Sequence, residues 1–125
     1  MDLNQVTLPA LDVEASADFY RRMGFVQIVQ APHYARFECP SGGATFSVHK
    51  VEEAPVHQGV VIYFESDRLD ALVEELQGKG FAFAHLPRDE RWLWRESRLH
   101  DPAGNTICLY HAGENRKNPP WRLAP

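Results

Sequence analysis

One order of features occurs twice along this chain, and it constrains the fold more than any other property of the sequence. Asp12 and Asp67 each precede a segment whose apolar residues have helical spacing, and Gly24 and Gly80 each follow that segment. Both glycines precede a phenylalanine, and they stand 56 positions apart. A glycine-containing turn between two strand-like segments then follows in each half. A repeat of this length predicts that both halves form the same supersecondary unit.

Hydrophobic periodicity places one helix and four strands in the first half. Polar and apolar residues alternate over 4–9, which predicts a strand. Ala15, Phe19 and Met23 share one helix face, Asp12 is expected to cap this helix, and Gly24 is expected to end it. Three further strands are predicted over 25–30, 34–39 and 44–50, with a turn at 40–43.

The second half follows the same order. A strand is predicted over 59–65, and the next helix is expected to be capped by Asp67 and ended by Gly80. Its apolar residues have helical spacing: Leu69, Leu72, Val73 and Leu76. Strands follow over 81–85, 91–100 and 105–111. Since isolated helices alternate with antiparallel hairpins, the predicted class is α+β.

Composition and charge exclude several functions. The 125 residues fit one compact domain, and the longest apolar run, Val60–Phe64, is far too short for a membrane span. With 13 basic and 17 acidic residues the net charge is −4. The sequence has no stripe of basic residues of the kind that marks a nucleic-acid-binding surface. Cys39 and Cys108 stand far apart, which favours a reducing compartment. Because the N-terminus also lacks signal-peptide features, we expect a cytoplasmic protein that binds neither nucleic acid nor membranes.

Period-two alternation gives each predicted strand an apolar face for its helix and a second face of mixed character. On that second face, large aromatic side chains and charged groups stand together. Such a face is either open to water or lines a small-molecule cavity, and two tryptophans two positions apart favour the cavity. The residues assigned to this face are Gln5, Thr7, Arg36, Glu38, Thr45, Ser47, His49, Val61, Tyr63, Glu65, Trp92, Trp94, Glu96, Arg98, Thr106, Cys108 and Tyr110.

The doubled plan resembles the vicinal oxygen chelate superfamily of glyoxalase I, extradiol dioxygenases, and fosfomycin- and bleomycin-resistance proteins. The resemblance lies in LDVEASADFYRRMGF at 11–25, GGATFSVHK at 42–50, VVIYFESDRLDALVEELQGKGF at 60–81 and WRESRLHDPAGNTICLYH at 94–111. It implies one domain over 1–112, built from two tandem βαβββ modules at about 1–55 and 56–112. The curved mixed sheets are expected to form a shared cavity, and a homodimer is expected. Residues 113–125 are expected to form an irregular, proline-rich tail.

The resemblance also identifies where metal-using relatives carry their ligands. Those positions correspond here to Gln5, Ser47, Val61 and Cys108, and only Gln5 and Cys108 have donor atoms suited to a metal. A catalytic metal needs about three protein ligands, so we expect a degenerate metal site and no cofactor. A displaced divalent-metal site built from His49 with Glu38, Glu65 or Glu96 is the alternative, and these four residues are the catalytic candidates.

The sequence therefore supports two main functions. The first is a small-molecule-binding protein that holds a flat, partly aromatic ligand in the cavity between the modules. The second is a divalent-metal-dependent lyase or dioxygenase of the glyoxalase I type with a rearranged site, and a dimer with a vestigial pocket is a third possibility. Trp92 and Trp94 either stack on the ligand or pack in the hairpin or a dimer contact. The predicted ligand-binding residues are Gln5, Thr7, Arg36, Glu38, Ser47, His49, Tyr63, Trp92, Trp94, Glu96, Arg98, Cys108 and Tyr110.

Overall fold

The computed structural model of the chain describes residues 1–54 and 59–124. The first five elements are β1 (Gln5–Ala10), α1 (Val13–Met23), β2 (Val26–Ala31), β3 (Tyr34–Glu38) and β4 (Thr45–Lys50). The next five are β5 (Val61–Glu65), α2 (Leu69–Gly78), β6 (His85–Asp89), β7 (Arg95–His100) and β8 (Thr106–His111). The predicted α+β class and the doubled order of elements are confirmed.

The chain divides into two units, each with one helix and one four-stranded mixed sheet. Unit 1 comprises Met1–Val60 together with Asp101–Asn105, and its strands have the order β1-β4-β3-β2. Unit 2 comprises Val61–His100 and Thr106–Pro125, and its order is β5-β8-β7-β6. In each sheet the first pair is parallel and the others are antiparallel. Each unit therefore has the βαβββ order of elements that the resemblance implies.

Helix α1 begins and ends where the sequence predicts. The Asp12 carboxylate accepts a hydrogen bond from the Ala15 amide at 3.0 Å, which satisfies a donor that the first helical turn leaves unpaired. Gly24 follows the helix with a φ of 109°, a left-handed conformation that glycine adopts without a Cβ clash. The buried face of α1 carries Tyr20 against the unit 1 sheet.

Helix α2 begins differently, and the predicted cap at Asp67 is wrong. Arg68 is the N-cap residue, and its side chain makes no capping hydrogen bond. The Ser66 hydroxyl instead accepts a hydrogen bond from the Arg68 amide at 3.1 Å. Asp67 stands one position too early to reach the first helical amides as an N-cap does. Gly80 still follows the helix with a φ of 94°.

The difference between the N-caps of α1 and α2 can be tested by mutation. We expect Asp12→Ala to lower the free energy of unfolding by about 1 kcal/mol, because it removes a helix cap. Asp67→Ala, the matched control, should change it by less than about 0.5 kcal/mol. Urea unfolding followed by circular dichroism measures both. Equal losses in the two variants would contradict this difference in capping.

Two strands of unit 2 differ from their predictions. The strand predicted over 81–85 is wrong, because β6 begins only at His85. Phe81 is buried, and its amide donates to Leu76 O at 3.1 Å, so this segment completes the end of α2. The strand predicted over 91–100 begins at Arg95, which leaves Trp92 and Trp94 in the β6–β7 hairpin loop.

Each unit has its own apolar core. In unit 1, the Tyr20 ring packs edge-on against Phe46 at a centroid distance of 4.9 Å, and Phe37 stacks on Phe46 at 5.2 Å. The fully buried aliphatic side chains of unit 2 are Val73, Leu76, Leu99, Ile107 and Leu109.

A short 3-10 helix, Gly113–Asn115, follows β8 at the start of the C-terminal segment. The expected irregular tail over 113–125 stays a prediction. The expected module boundary at residue 55 and the final residue, Pro125, lie outside the described residues. The limits of the expected domain, 1–112, stay a prediction. Within the described residues, neither helix has the length and apolar character that crossing a membrane requires.

Candidate functional site

The polar face of the unit 2 sheet brings together side chains from four strands. Strand register places Tyr63 beside Cys108, Cys108 beside Arg98, and Arg98 beside His85. A neighbouring row runs through Glu65, Tyr110, Glu96 and Arg88. Paired residues share a face, and positions two apart on β5, β7 and β8 also share a face, so both rows project from the same side of the sheet.

A carboxylate lies at the centre of this face. Glu96 is only 2% exposed, although it carries a charge that burial would strongly penalise without partners. Trp92 Nε1 donates to Glu96 Oε2 at 2.7 Å, and Arg98 Nη2 donates to Glu96 Oε1 at 3.3 Å. The Cys108 thiol donates to Glu96 Oε1 at 3.6 Å. We refer to Trp92, Glu96, Arg98 and Cys108 as the Glu96 cluster.

Arg98 connects the Glu96 cluster to an exposed ring. Its Nη2 also donates to the Tyr63 hydroxyl at 3.2 Å, and the guanidinium carbon lies 5.9 Å from the Tyr63 ring centroid. Burial lowers the pKa of Arg98, but the hydrogen bond to Glu96 and the nearby acidic groups outweigh it and raise the pKa. Arg98 therefore remains a cation, and its side chain is 32% exposed.

Trp94 belongs to a packed aromatic group next to this cluster. Its ring stacks on Tyr110 at a centroid distance of 4.8 Å and meets Tyr63 edge-on at 5.8 Å. Its indole nitrogen donates to Asn115 O at 3.2 Å, so it also anchors the start of the tail. Burial raises the pKa of the Tyr110 hydroxyl, which keeps that group neutral. These contacts agree with the packing alternative for Trp94.

Glu65, one of the catalytic candidates from the sequence, binds the backbone at the start of the C-terminal tail. Its Oε2 accepts from the Ala112 amide at 2.8 Å and from the Gly113 amide at 2.9 Å. His111 and Arg116 lie within 4.0 Å of the same carboxylate. Partial burial raises the pKa of Glu65, but the two backbone hydrogen bonds and the nearby positive groups lower it overall. The group is therefore ionised at neutral pH, unlike a general base tuned to pH 7.

The polar face of unit 1 holds a separate hydrogen-bond network. Gln5 Nε2 donates to Ser47 Oγ at 2.8 Å, and Ser47 Oγ lies 2.5 Å from the Tyr34 hydroxyl. Arg36 Nε donates to the same hydroxyl at 2.9 Å, and Thr45 Oγ1 donates to Gln5 Oε1. The hydrogen bond with Ser47, together with Arg36, holds the pKa of Tyr34 below its usual range.

The predicted site residues divide by exposure. Gln5, Thr7, Glu38, His49, Tyr63 and Trp92 are exposed, whereas Arg36, Trp94 and Arg98 are half-buried. Ser47, Glu96, Cys108 and Tyr110 are buried, so a ligand would reach them only after a side chain moved. Tyr34 is absent from the predicted set, although it shares its strand and face with Arg36 and the same alternation could have found it. No sequence signal points to the Asn115 carbonyl as the partner of Trp94.

The four positions that the resemblance matches to metal ligands offer few free donor atoms. Gln5 is committed to Ser47 and Thr45 through both amide atoms. Val61 has no donor, and Ser47 and Cys108 are fully buried. Among residues 1–54 and 59–124, no three or more His, Cys, Asp or Glu side chains are grouped to hold a metal ion.

The Cys108 thiol is protonated at neutral pH. Burial raises its pKa to about 12, and the negative charge of Glu96 contributes to the same shift. At pH 8 about one thiol in ten thousand would then be ionised. Because a metal binds the thiolate, and the thiolate is also the nucleophile, this environment disfavours both roles.

That protonation can be measured in a Cys39→Ser variant, which leaves Cys108 as the remaining cysteine. We expect the folded variant to react with 5,5′-dithiobis(2-nitrobenzoate) at pH 8 at least about a hundredfold more slowly than the urea-unfolded variant. Absorbance at 412 nm measures the reaction. Rapid labelling of the folded variant would show an accessible thiolate and contradict a buried, protonated Cys108.

Two of the shallow depressions elsewhere on the described residues can be compared with the Glu96 cluster. One of about 350 Å³ in unit 1 lies between α1 and strands β2 and β3, with Glu14 on its rim. The other, about 380 Å³ in unit 2, contains Asp70 and Arg95, which already pair at 2.9 Å. The Glu96 cluster combines a buried charge with exposed aromatic surface, and neither depression does.

Comparisons with known proteins agree on one fold. The family model for the Glyoxalase/Bleomycin resistance protein/Dioxygenase superfamily matches residues 2–109. No curated protein matches the chain significantly. A solved glyoxalase/bleomycin resistance protein/dioxygenase from Nocardioides superposes with a TM-score of 0.81 at 23% identity, covering 99% of this chain and 90% of that one.

Two further solved structures bear on function only through their fold. A bleomycin-binding protein in complex with bleomycin has a TM-score of 0.74 at 19% identity, covering 89% of this chain and 98% of its own. Lactoylglutathione lyase from Agrobacterium tumefaciens has a TM-score of 0.73 at 16% identity, covering 88% of this chain and 92% of its own. A binding protein and a lyase thus share this architecture, and the side chains must distinguish them.

Proposed function

Because the chain belongs to the Glyoxalase/Bleomycin resistance protein/Dioxygenase superfamily, we propose that it is a small-molecule-binding protein that needs no metal. Its ligand lies on the polar face of the unit 2 sheet. The observation that carries this proposal is the Glu96 cluster, in which a buried carboxylate pairs with a half-exposed arginine beside exposed aromatic rings. A few polar groups among aromatic surface are typical of small-molecule sites.

The exposed side chains on this face indicate what kind of ligand would fit. Tyr63 is 42% exposed and Trp92 is 37% exposed, so both rings offer surface for a flat molecule. Arg98 touches the Tyr63 hydroxyl and keeps guanidinium donors available beside the ring. A planar, partly aromatic molecule with a polar acceptor group fits this combination.

The proposal of metal independence follows from the donor chemistry. The four positions that correspond to family ligands hold an engaged amide, a buried hydroxyl, an aliphatic side chain and a protonated thiol. A divalent ion of the family's kind needs oxygen or imidazole donors with free lone pairs. The alternative function is a lyase or dioxygenase with a displaced metal site. The test below distinguishes that enzyme from a protein that binds its ligand without metal.

The test uses protein freed of metal with EDTA. We expect calorimetry to detect saturable binding of 8-anilinonaphthalene-1-sulfonate or metal-free bleomycin, and Arg98→Gln to weaken it at least about tenfold. Arg95→Gln is the matched control, because Arg95 lies on the same strand and pairs with Asp70 and Asp89. Binding that needs added Mn²⁺, Ni²⁺ or Zn²⁺, with about one ion bound per chain, would overturn metal independence and favour the enzyme.

Three further expectations accompany this proposal. The homodimer, the cytoplasmic location and the cavity between the modules stay predictions. Analytical ultracentrifugation of the full chain tests the dimer directly.

A further inference from the structure

We infer that the indole N–H of Trp92 fills, in the absence of ligand, the position where an N–H group of the bound ligand would donate to Glu96. The site would then select planar heteroaromatic lactams. Such a ring carries an N–H and a C=O side by side. This inference rests on the proposed function, since it concerns the same face of unit 2, and it specifies the chemical class of the ligand. Three features of the Glu96 cluster carry it.

The first feature is that the buried carboxylate of Glu96 depends on its hydrogen-bond donors. A buried carboxylate that loses a donor without replacement is strongly destabilised. Trp92 supplies the only hydrogen bond described for Glu96 Oε2, at 2.7 Å. Trp92 is also the more exposed partner of the two, at 37% against 2% for Glu96. The indole is therefore the part of this contact that an incoming molecule can displace, provided that it brings its own N–H.

The second feature is the position of Arg98. Its Nη2 lies 3.3 Å from Glu96 Oε1, so cationic donors stand next to the carboxylate acceptor. A guanidinium has five N–H donors, which leaves several for a ligand oxygen. An acceptor beside a donor is the complement of a lactam, whose N–H would face Glu96 and whose C=O would face Arg98. An ammonium ligand fits less well, because Arg98 already balances the charge of Glu96 and would repel a second cation.

The third feature is the loop that carries Trp92. The backbone of this loop is closed by Glu90 N to Trp94 O at 2.8 Å and Leu93 N to Glu90 O at 3.0 Å. Leu93 has a φ of 68°, a left-handed conformation that is unfavourable for a residue with a Cβ. The two backbone bonds do not involve the Trp92 side chain. Its indole can therefore rotate away from Glu96 while the loop remains closed.

The experiment compares 2-quinolone, a flat lactam, with N-methyl-2-quinolone, which keeps the ring and the carbonyl but lacks the N–H. Calorimetry on the full chain in EDTA should show 2-quinolone binding at least about tenfold more tightly, because a hydrogen bond to a charged group is lost in the methylated compound. Trp92→Phe should tighten 2-quinolone binding by about tenfold, because the competing indole N–H is removed. Trp121→Phe, in an exposed tail position, should leave the affinity unchanged.

The outcomes separate this inference from the proposed function. Equal affinity for the two quinolones would overturn lactam selection while leaving small-molecule binding intact. Weaker binding of 2-quinolone by Trp92→Phe would overturn displacement, because removal of a competing N–H group cannot weaken binding. Binding of 8-anilinonaphthalene-1-sulfonate without binding of either quinolone would also overturn the inference alone. Failure of every probe would overturn the proposed function as well.

Discussion

Replacing Asp101 with alanine is expected to lower the free energy of unfolding by about 4 kcal/mol, more than the loss expected from a typical single substitution. Asp101 is 5% exposed and lies in the turn that joins β7 to β8. Its Oδ2 accepts from the Tyr20 hydroxyl at 2.7 Å and from Asn105 Nδ2 at 2.8 Å. Its Oδ1 accepts from the amides of Ala103 and Asn105 at 3.0 and 2.8 Å.

The size of this effect follows from what alanine would leave behind. Burial raises the pKa of the Tyr20 hydroxyl, and the negative charge of Asp101 raises it further. The hydroxyl therefore keeps its proton and needs a hydrogen-bond acceptor. Without Asp101, this hydroxyl and two turn amides would stay buried without a partner, and each costs about 1–3 kcal/mol. The side-chain amide of Asn105 would keep its hydrogen bond to Pro9 O at 2.9 Å.

Thermal unfolding measures the prediction, and a loss of about 4 kcal/mol corresponds to about 15 °C in Tm for a chain of this size. The matched control is Asp18→Ala, which removes an exposed carboxylate that pairs with Arg22 at 3.8 Å. That change should cost less than about 0.5 kcal/mol. Similar Tm values for the Asp101 and Asp18 variants would contradict the role assigned to the buried turn.

The second large effect is expected at Trp94. We expect Trp94→Ala to lower the free energy of unfolding by about 3 kcal/mol, because it removes the ring that stacks on Tyr110 and meets Tyr63 edge-on. The hydrogen bond to Asn115 O is lost at the same time, which should loosen the start of the tail. Urea unfolding gives the energy, and limited proteolysis reports on the tail.

Trp92→Ala is the natural comparison, since it lies two positions away in the same loop and is more exposed. It should cost about 1 kcal/mol, because water can reach Glu96 once the indole is gone. If Trp92→Ala proved the more destabilising substitution, Trp92 and not Trp94 would be the structural ring, contrary to the packing of the two side chains.

Local rules predicted most of the fold because neighbouring residues decide it. Asp12 and Gly24 lie beside the helix that they delimit, so capping chemistry alone locates both ends. The same rule failed at Asp67, where the helix starts one residue later and Ser66 takes over the polar contact. Phe81 has strand propensity, but its burial at the end of α2 overrides that preference.

The contacts of the Glu96 cluster were predicted less completely, because alternation along a strand assigns a side chain to a face but does not identify its hydrogen-bond partner. It correctly grouped Glu96, Arg98 and Cys108 on one side of their strands. It could not show that Trp92 would reach Glu96 from a loop, since that depends on the hairpin turn around Leu93. Nor could it show that Glu65 binds two backbone amides of the tail, because those contacts join positions 47 and 48 residues apart.

The most direct test of metal-free ligand binding is a ¹⁵N-correlated NMR spectrum of the indole region, recorded in EDTA during titration with 8-anilinonaphthalene-1-sulfonate. The three tryptophans give three indole signals, which Trp→Phe variants assign. Metal-free binding on unit 2 predicts a saturable shift of the Trp92 signal, while the Trp121 signal stays in place. A Trp92 signal that moves only after Zn²⁺ is added, or that stays fixed while the ligand binds, would contradict it.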